Sequence, residues 1–205
     1  MAEFTKLLVA TNNSGKLREY ASLLDGLGFE LITLAGAGIT VEVEETGASM
    51  EQNAVLKATG YAELSGLVTL ADDSGLEVDA LGGEPGPLSR RYAGENATDL
   101  ERNDYLLAKL RDVPWEKRGA RFRCVIAIAA SDGNVETCEG VCQGMIAFEP
   151  KGEGGFGYDP IFYLPELERW MAELSLDEKN RISHRAKAAR EARRLLEARM
   201  LANGK

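Results

Sequence analysis

An apolar run that breaks at once into a polar turn and then a lysine constrains this chain more than any other feature: residues 7–20 read LLVATNNSGKLREY. The pattern predicts a buried strand over residues 6–10 and a tight turn through Thr11, Asn12, Asn13, Ser14 and Gly15. An amphipathic helix over residues 16–27 follows, with Leu17, Tyr20, Ala21, Leu24 and Leu27 at helical spacing. A helix entered this way offers unsatisfied N–H groups and a partial positive charge, to which Lys16 adds a full one, so the turn is a candidate phosphate grip. The spacing is not that of a P-loop. Ala10 stands where the first glycine is needed, and Leu17 follows Lys16 where a hydroxyl would hold magnesium. A capped helix with an exposed lysine satisfies the same residues, so on this stretch alone both readings stand.

The remaining pattern mixes strands and helices without a regular βαβ rhythm. Residues 50–65 place Ala54, Ala58, Tyr61, Ala62 and Leu64 on a helix, and GLVTLADDSG reads as a short apolar strand ending in two aspartates. Thr98-Asp99-Leu100-Glu101 forms a capping box ahead of a helix to about Leu110. RFRCVIAIAASDGNVETCEGVCQGMIA reads as a hairpin turning at Ser-Asp-Gly-Asn, Ser175 and Glu178 suggest a further cap, and an Ala/Arg-rich helix begins near Ser183. The expectation is an α/β fold with a mixed sheet. With 205 residues, 44% of them hydrophobic, the chain can bury an ordinary core, and nothing linker-like divides it, so residues 1–205 read as one domain. The glycine-rich EPKGEGGFGYDP is the candidate junction if that domain has two lobes.

Charge narrows the partners. Against 24 basic residues stand 33 acidic ones, a net charge of −9, which argues against a broad nucleic-acid or anionic-membrane surface. Any phosphate must therefore be met by local lysines, backbone N–H groups or a metal. Three cysteines without CxxC spacing suggest no disulfide framework and favour a reducing compartment. The start MAEFTKLLVATNN turns polar too early for a signal peptide, and no apolar run approaches the ~18 residues of a membrane span, so a cytoplasmic location is expected.

Three further polar clusters lie at the ends of apolar elements. Asp72-Asp73-Ser74-Gly75 sets two carboxylates side by side, whose repulsion a cation would relieve. Hard oxygen donors favour magnesium, with Glu42, Glu44 and Glu45 as further carboxylates, though the same residues also make an ordinary turn or a solvated edge. Phe156-Gly157-Tyr158-Asp159-Pro160 lets a flat ligand approach the backbone and stack on a ring, or else plugs the core. Lys179-Asn180-Arg181-Ile182-Ser183-His184-Arg185 gathers cations and the chain's single histidine at the start of the last helix. Cations there oppose the helix dipole unless an anion or carbonyl compensates.

ATNNSGK, ETGASMEQNAVLKA, ADDSGLEVDALGGEPG, SRRYAGENAT, GGFGYDPIF and AELSLDEKNRISHRAKA occur in one order, and together they resemble the inosine/xanthosine triphosphate pyrophosphatase family from about Lys6 to Ala189. The resemblance implies an elongated mixed α/β sheet with flanking helices, two lobes around a substrate cleft, and a homodimer. It also implies magnesium-dependent hydrolysis of ITP, dITP or XTP to the monophosphate and pyrophosphate. By the same resemblance Thr11, Asn12, Asn13, Ser14, Gly15 and Lys16 bind the triphosphate, and Asp73 is the general base and a metal ligand. Glu44 is the other metal position, with Glu45 beside it. Lys57, Ser74, Phe156, Gly157, Tyr158, Asp159, Lys179, His184 and Arg185 bind substrate, with Asn53 joining the phosphate site. Ala186 departs from the glycine usual after Ser-His-Arg, and Trp170-Met171 replaces a stretch that usually carries threonine.

The expected chemistry is attack of a water, deprotonated by Asp73, on the α-phosphorus, with pyrophosphate leaving. His184 and Arg185 are expected to donate to the C6 carbonyl of a keto purine, while Phe156 stacks on any purine. The alternatives are a pyrophosphatase for other nucleoside triphosphates, a non-catalytic nucleotide-binding protein, and a phosphatase that releases orthophosphate.

Overall fold

Strand periodicity decides how this chain packs. The computed structural model describes residues 5–203; residues 1–4, part of the stretch read above as no signal peptide, and residues 204–205 lie outside the described residues. Its main elements are β1 (Thr5–Val9), α1 (Ser14–Leu23), β2 (Phe29–Thr33), α2 (Met50–Ser65), β3 (Val68–Val78) and α3 (Asp99–Lys109). They continue with β4 (Gly119–Ala129), β5 (Val135–Ile146), β6 (Phe162–Leu164), β7 (Arg169–Trp170), α4 (Leu176–Ile182) and α5 (His184–Asn203). The strands form one mixed sheet in the order β2-β1-β3-β4-β5-β6-β7, so the expected α/β class holds. β1 is parallel to both β2 and β3, whereas β6 is antiparallel to β5 and β7.

The chain divides into two compact units. The first holds residues through Asp73, then Cys124–Gly140 and the residues from Arg185 on; the second holds Ser74–Arg123 and Val141–His184. The division falls within β3, β4 and β5 and at the start of α5. The glycine-rich stretch at 149–160, expected as the junction, lies wholly in the second unit.

In the first unit both faces of β1 and of the β3 and β4 segments that belong to it are buried, which is why these read as near-continuous apolar runs. Leu7, Val9, Leu70, Cys124, Ile126 and Ile128 pack with Tyr20 and Leu24 of the α1 region and Ala188, Ala192 and Leu196 of α5. The alternate residues Leu8, Ala10, Ala71, Val125, Ala127 and Ala129 pack with Met50, Ala54, Ala58 and Tyr61 of α2. Successive side chains on a strand point to opposite faces, so each strand feeds both cores. Ser49 caps α2 by accepting from Gln52 N, and Gly66 ends it in the left-handed conformation. α1 starts earlier and stops sooner than the apolar spacing predicts, because Asn13 caps it and Gly26 and Gly28 follow with positive φ.

The second unit has its own core, in which Leu76, Val78, Leu106, Leu110, Phe122, Ile146, Ile161 and Phe162 meet. The expected capping boxes form at both sites, Thr98 with Glu101 on α3 and Ser175 with Glu178 on α4. Arg118 is buried here, donating to the carbonyls of Leu110, Val113, Ile146 and Ala147.

Candidate functional site

Parallel pairing assembles the phosphate candidates of the first unit. β1 and β3 run side by side in register Val9 to Leu70, and Ala10 N donates to Leu70 O at 2.8 Å. The turn after β1 therefore emerges beside the residues that follow Leu70. There Lys16 Nζ lies 2.9 Å from Asp72 Oδ2, and Lys57 Nζ donates to Asp72 O at 2.7 Å and to Glu45 Oε1 at 3.1 Å. Thr11 is half-buried, Asn12, Asn13 and Ser14 are exposed, and Gly15 is buried. Thr11 Oγ1 accepts from Asn13 N, and Asn13 Oδ1 accepts from Lys16 N, so the turn is shaped by its own side chains.

The two aspartates do not act as a pair. β3 does not end at them but continues through Ser74, Gly75, Leu76 and Glu77 to Val78, and strand alternation sends their carboxylates to opposite faces. Asp72 lies on the α1/α5 side, where Lys16 and the Arg185 guanidinium meet it, the latter at 3.5 Å. Burial alone would push the Asp72 carboxyl up, but the charges of Lys16, Arg185 and Lys57 hold it well below the usual carboxylate range. The mutual repulsion expected of adjacent carboxylates is thus relieved by geometry and by cations of the protein itself.

Asp73 lies on the α2 side, 7% exposed, with Oδ2 accepting from Asn53 Nδ2 at 3.2 Å. Burial raises its pKa, the nearby Glu45 carboxylate adds to the rise, and Lys57, Lys16 and the Asn53 hydrogen bond oppose it. Asn53 Oδ1 also accepts from Gly47 N at 2.8 Å. A Cβ at Gly47 would come within 2.7 Å of that oxygen, so a side chain there would break the contact. Asn53 therefore binds the 47 loop to Asp73. Ser74, the first residue of the second unit, is half-buried.

Arg185 belongs to the first unit, fully buried, with Nη1 donating to Glu19 Oε2 at 2.5 Å. His184 belongs to the second, 5% exposed, its ring stacked on Phe122 at a centroid distance of 4.8 Å. The two residues expected to read one carbonyl thus have different surroundings. Ala186 is buried in α5.

The aromatic loop of the second unit is held from several sides. Asp159 Oδ2 accepts from Phe156 N at 2.9 Å and from Lys179 Nζ at 2.6 Å, with both side chains of the ion pair buried. That carboxylate curls back over Gly155, where a Cβ would overlap it at 2.0 Å and where φ is +76°. Lys179 Nζ also lies 4.6 Å from the centre of the Phe156 ring, which is half-buried. Tyr158 OH donates to Ser89 O at 2.8 Å.

Comparison with known proteins decides what this arrangement belongs to. The Ham1 family model matches residues 7–195. The chain belongs to the Ham1 family. It is 51% identical over 191 residues to the dITP/XTP pyrophosphatase of Desulforamulus reducens, covering 93% of this chain and 95% of that one. It is 52% identical over 184 residues to the protein of the same name from Geobacter sulfurreducens, with 90% and 92% covered. Among solved structures, a HAM1 protein from Coxiella burnetii superposes with a TM-score of 0.86 at 44% identity, covering 94% of this chain and 98% of that one.

Within this Ham1 chain, the sequence pattern marks Asp72 only as half of a carboxylate pair for a cation, and it gives no sign of Glu19, whose partner Arg185 lies far along the chain. Among the described residues no three His, Cys, Asp or Glu side chains gather into a metal cage. The donor set that exists is Asp73, with the Glu45 carboxylate near enough to raise it and exposed Glu44 adjacent in the chain. One or two hard carboxylates suit magnesium, which takes the rest of its shell from phosphates and water, so these residues fit that ion.

Proposed function

We propose that this chain hydrolyses non-canonical purine nucleoside triphosphates, ITP, dITP and XTP, to the monophosphate and pyrophosphate. The names of its Ham1 relatives support the substrate class. The observation that carries the reaction is the environment of Asp73, a largely buried carboxylate of raised pKa one residue from the aspartate on which Lys16 and Lys57 converge. A base must be strong enough to take a proton from water in the transition state, and burial, before any ion is bound, moves the Asp73 carboxyl in that direction. Asn53 keeps its carboxylate in one orientation. Lys16, the N–H groups at the start of α1, and Lys57 meet the triphosphate, which lets a chain of net charge −9 bind a polyanion.

Asp73 with Glu44, and Glu45 beside it, would hold Mg2+. When bound, that ion neutralises phosphate oxygens and acts as a Lewis acid. Asp72 sets the two lysines in place. In the second unit Phe156 stacks on the purine, the loop Gly157, Tyr158 and Asp159 with Lys179 supports it, and His184 is the donor to the C6 carbonyl. The same reading makes the active enzyme a cytoplasmic homodimer.

The test is turnover of ITP, XTP, dITP, GTP and ATP with magnesium, with pyrophosphate and orthophosphate assayed separately. Equal amounts of pyrophosphate and monophosphate from the first three are expected. Formation of IDP and orthophosphate from ITP would overturn the proposal.

A further inference from the structure

The first turns of α3 reach the aromatic loop of the second unit at one residue, Gly157. Gly157 N donates to Asp99 Oδ2 at 2.6 Å, and Gly157 O accepts from Asn103 Nδ2 at 3.2 Å. Asp99 and Asn103 are four residues apart, so they share one face of α3. Asp99 is the first helical residue after the Thr98 cap, where the helix dipole favours its charge. Its other oxygen, Oδ1, accepts from Arg102 Nη2. Asn103 is buried, 3% exposed. Gly157 has φ +65°, the left-handed conformation that glycine adopts without the clash of a Cβ.

The neighbouring links are internal to the loop or fix its far end: Asp159 to Phe156 N, Asp159 to Lys179, and Tyr158 to Ser89 O. Among these contacts only the α3 pair holds the backbone of Gly157, Asp99 at the peptide before it and Asn103 at the peptide after it. Neither residue carries out chemistry in the reaction proposed above. The start of α3 is closed by the Thr98 and Glu101 capping box without Asn103.

We propose that Asp99 and Asn103 are positioning residues for base recognition, clamping both polar groups of Gly157 so that the Phe156 ring is set before the purine arrives. The inference rests on the proposed function, in which Phe156 stacks on the base. A preset ring lowers the ordering cost of binding and leaves phosphate contacts untouched. Loss of the clamp therefore weakens ligands that carry a base and spares those that do not.

The experiment compares wild type with Asp99→Ala, Asp99→Asn and Asn103→Ala. It reads KM and kcat for ITP, competitive inhibition by IMP and by inorganic tripolyphosphate, and amide hydrogen exchange over residues 156–158. In Asp99→Ala, KM for ITP and the IMP inhibition constant are expected to rise about tenfold, the change that ~1.4 kcal/mol of lost interaction gives. The kcat stays within about twofold, tripolyphosphate inhibition is unchanged, and exchange at 156–158 quickens. Asp99→Asn, which still offers an acceptor to Gly157 N, restores most of the affinity. Asn103→Ala breaks the other contact and is read in the same way. If IMP and tripolyphosphate constants move together, or neither moves in folded variants, the clamp is overturned while the proposed function stands. If wild type releases no pyrophosphate from ITP, the proposed function falls and the clamp's role falls with it.

Discussion

Glu19 and Arg185, separated by 166 positions in the chain, form a fully buried ion pair. The same guanidinium reaches Asp72, whose other cation is Lys16. One side chain of α5 thereby joins α1 to the strand that carries both aspartates, and the lysine proposed to meet phosphate is set by a carboxylate that Arg185 helps to hold.

Removing that guanidinium leaves two carboxylates buried without it. Arg185→Ala is expected to cost about 3–5 kcal/mol of stability, the usual penalty for breaking a buried ion pair from one side. Arg185→Lys keeps the charge but loses the fork that serves two acceptors, and falls between. Urea unfolding measures both. With the guanidinium facing Glu19 and Asp72, Arg185→Lys should leave the ratio of kcat/KM for ITP over ATP near wild type. A narrowed ratio would return this residue to the base.

Asp73→Asn keeps the shape that Asn53 holds but removes the proton acceptor. The kcat for ITP is expected to fall at least about a hundredfold, the customary loss of a general base. Thermal unfolding of the variant should stay near wild type. Turnover close to normal in the folded variant would take Asp73 out of the reaction.

Arg118 supplies donors to four backbone carbonyls around the end of α3 and β5. Arg118→Met keeps much of the stem and removes every donor, so a loss of about 2–3 kcal/mol is expected, in line with leaving buried acceptors unmade. Denaturant midpoints at constant slope are the measurement, and a midpoint unchanged from wild type would show that water replaces the guanidinium.

Glu178 gives a pH dependence with a definite sign. Its hydrogen bonds from Arg169 and Ser175 lower its pKa to about 2. A carboxylate lowered on folding contributes stability above its unfolded pKa and loses it as pH falls through the folded one. Wild type should therefore lose that contribution from about pH 4.5 down to about pH 2, whereas Glu178→Gln should show a shallower fall in Tm over the same window. Equal slopes for the two proteins would count against the pairing in solution.

The sequence determined by itself whatever depends on near neighbours along the chain. Helical spacing placed α2 at residues 50–65, and the Thr98 and Ser175 caps stand where their residue types predict. The six ordered stretches identified the family, since each is a local string and order is preserved in a chain. Local pattern could not show that β3 runs on past Asp72 and Asp73, because Ser-Gly reads as a turn until neighbouring strands hold it extended. Nor could it pair Glu19 with Arg185, Asn53 with Asp73, or Asp99 and Asn103 with Gly157, contacts that exist only once packing closes the distance. Which carboxylate is buried, which is neutralised by the protein's own cations and which keeps a raised pKa was decided by the tertiary structure, because desolvation and Coulomb terms depend on spatial rather than sequential neighbours.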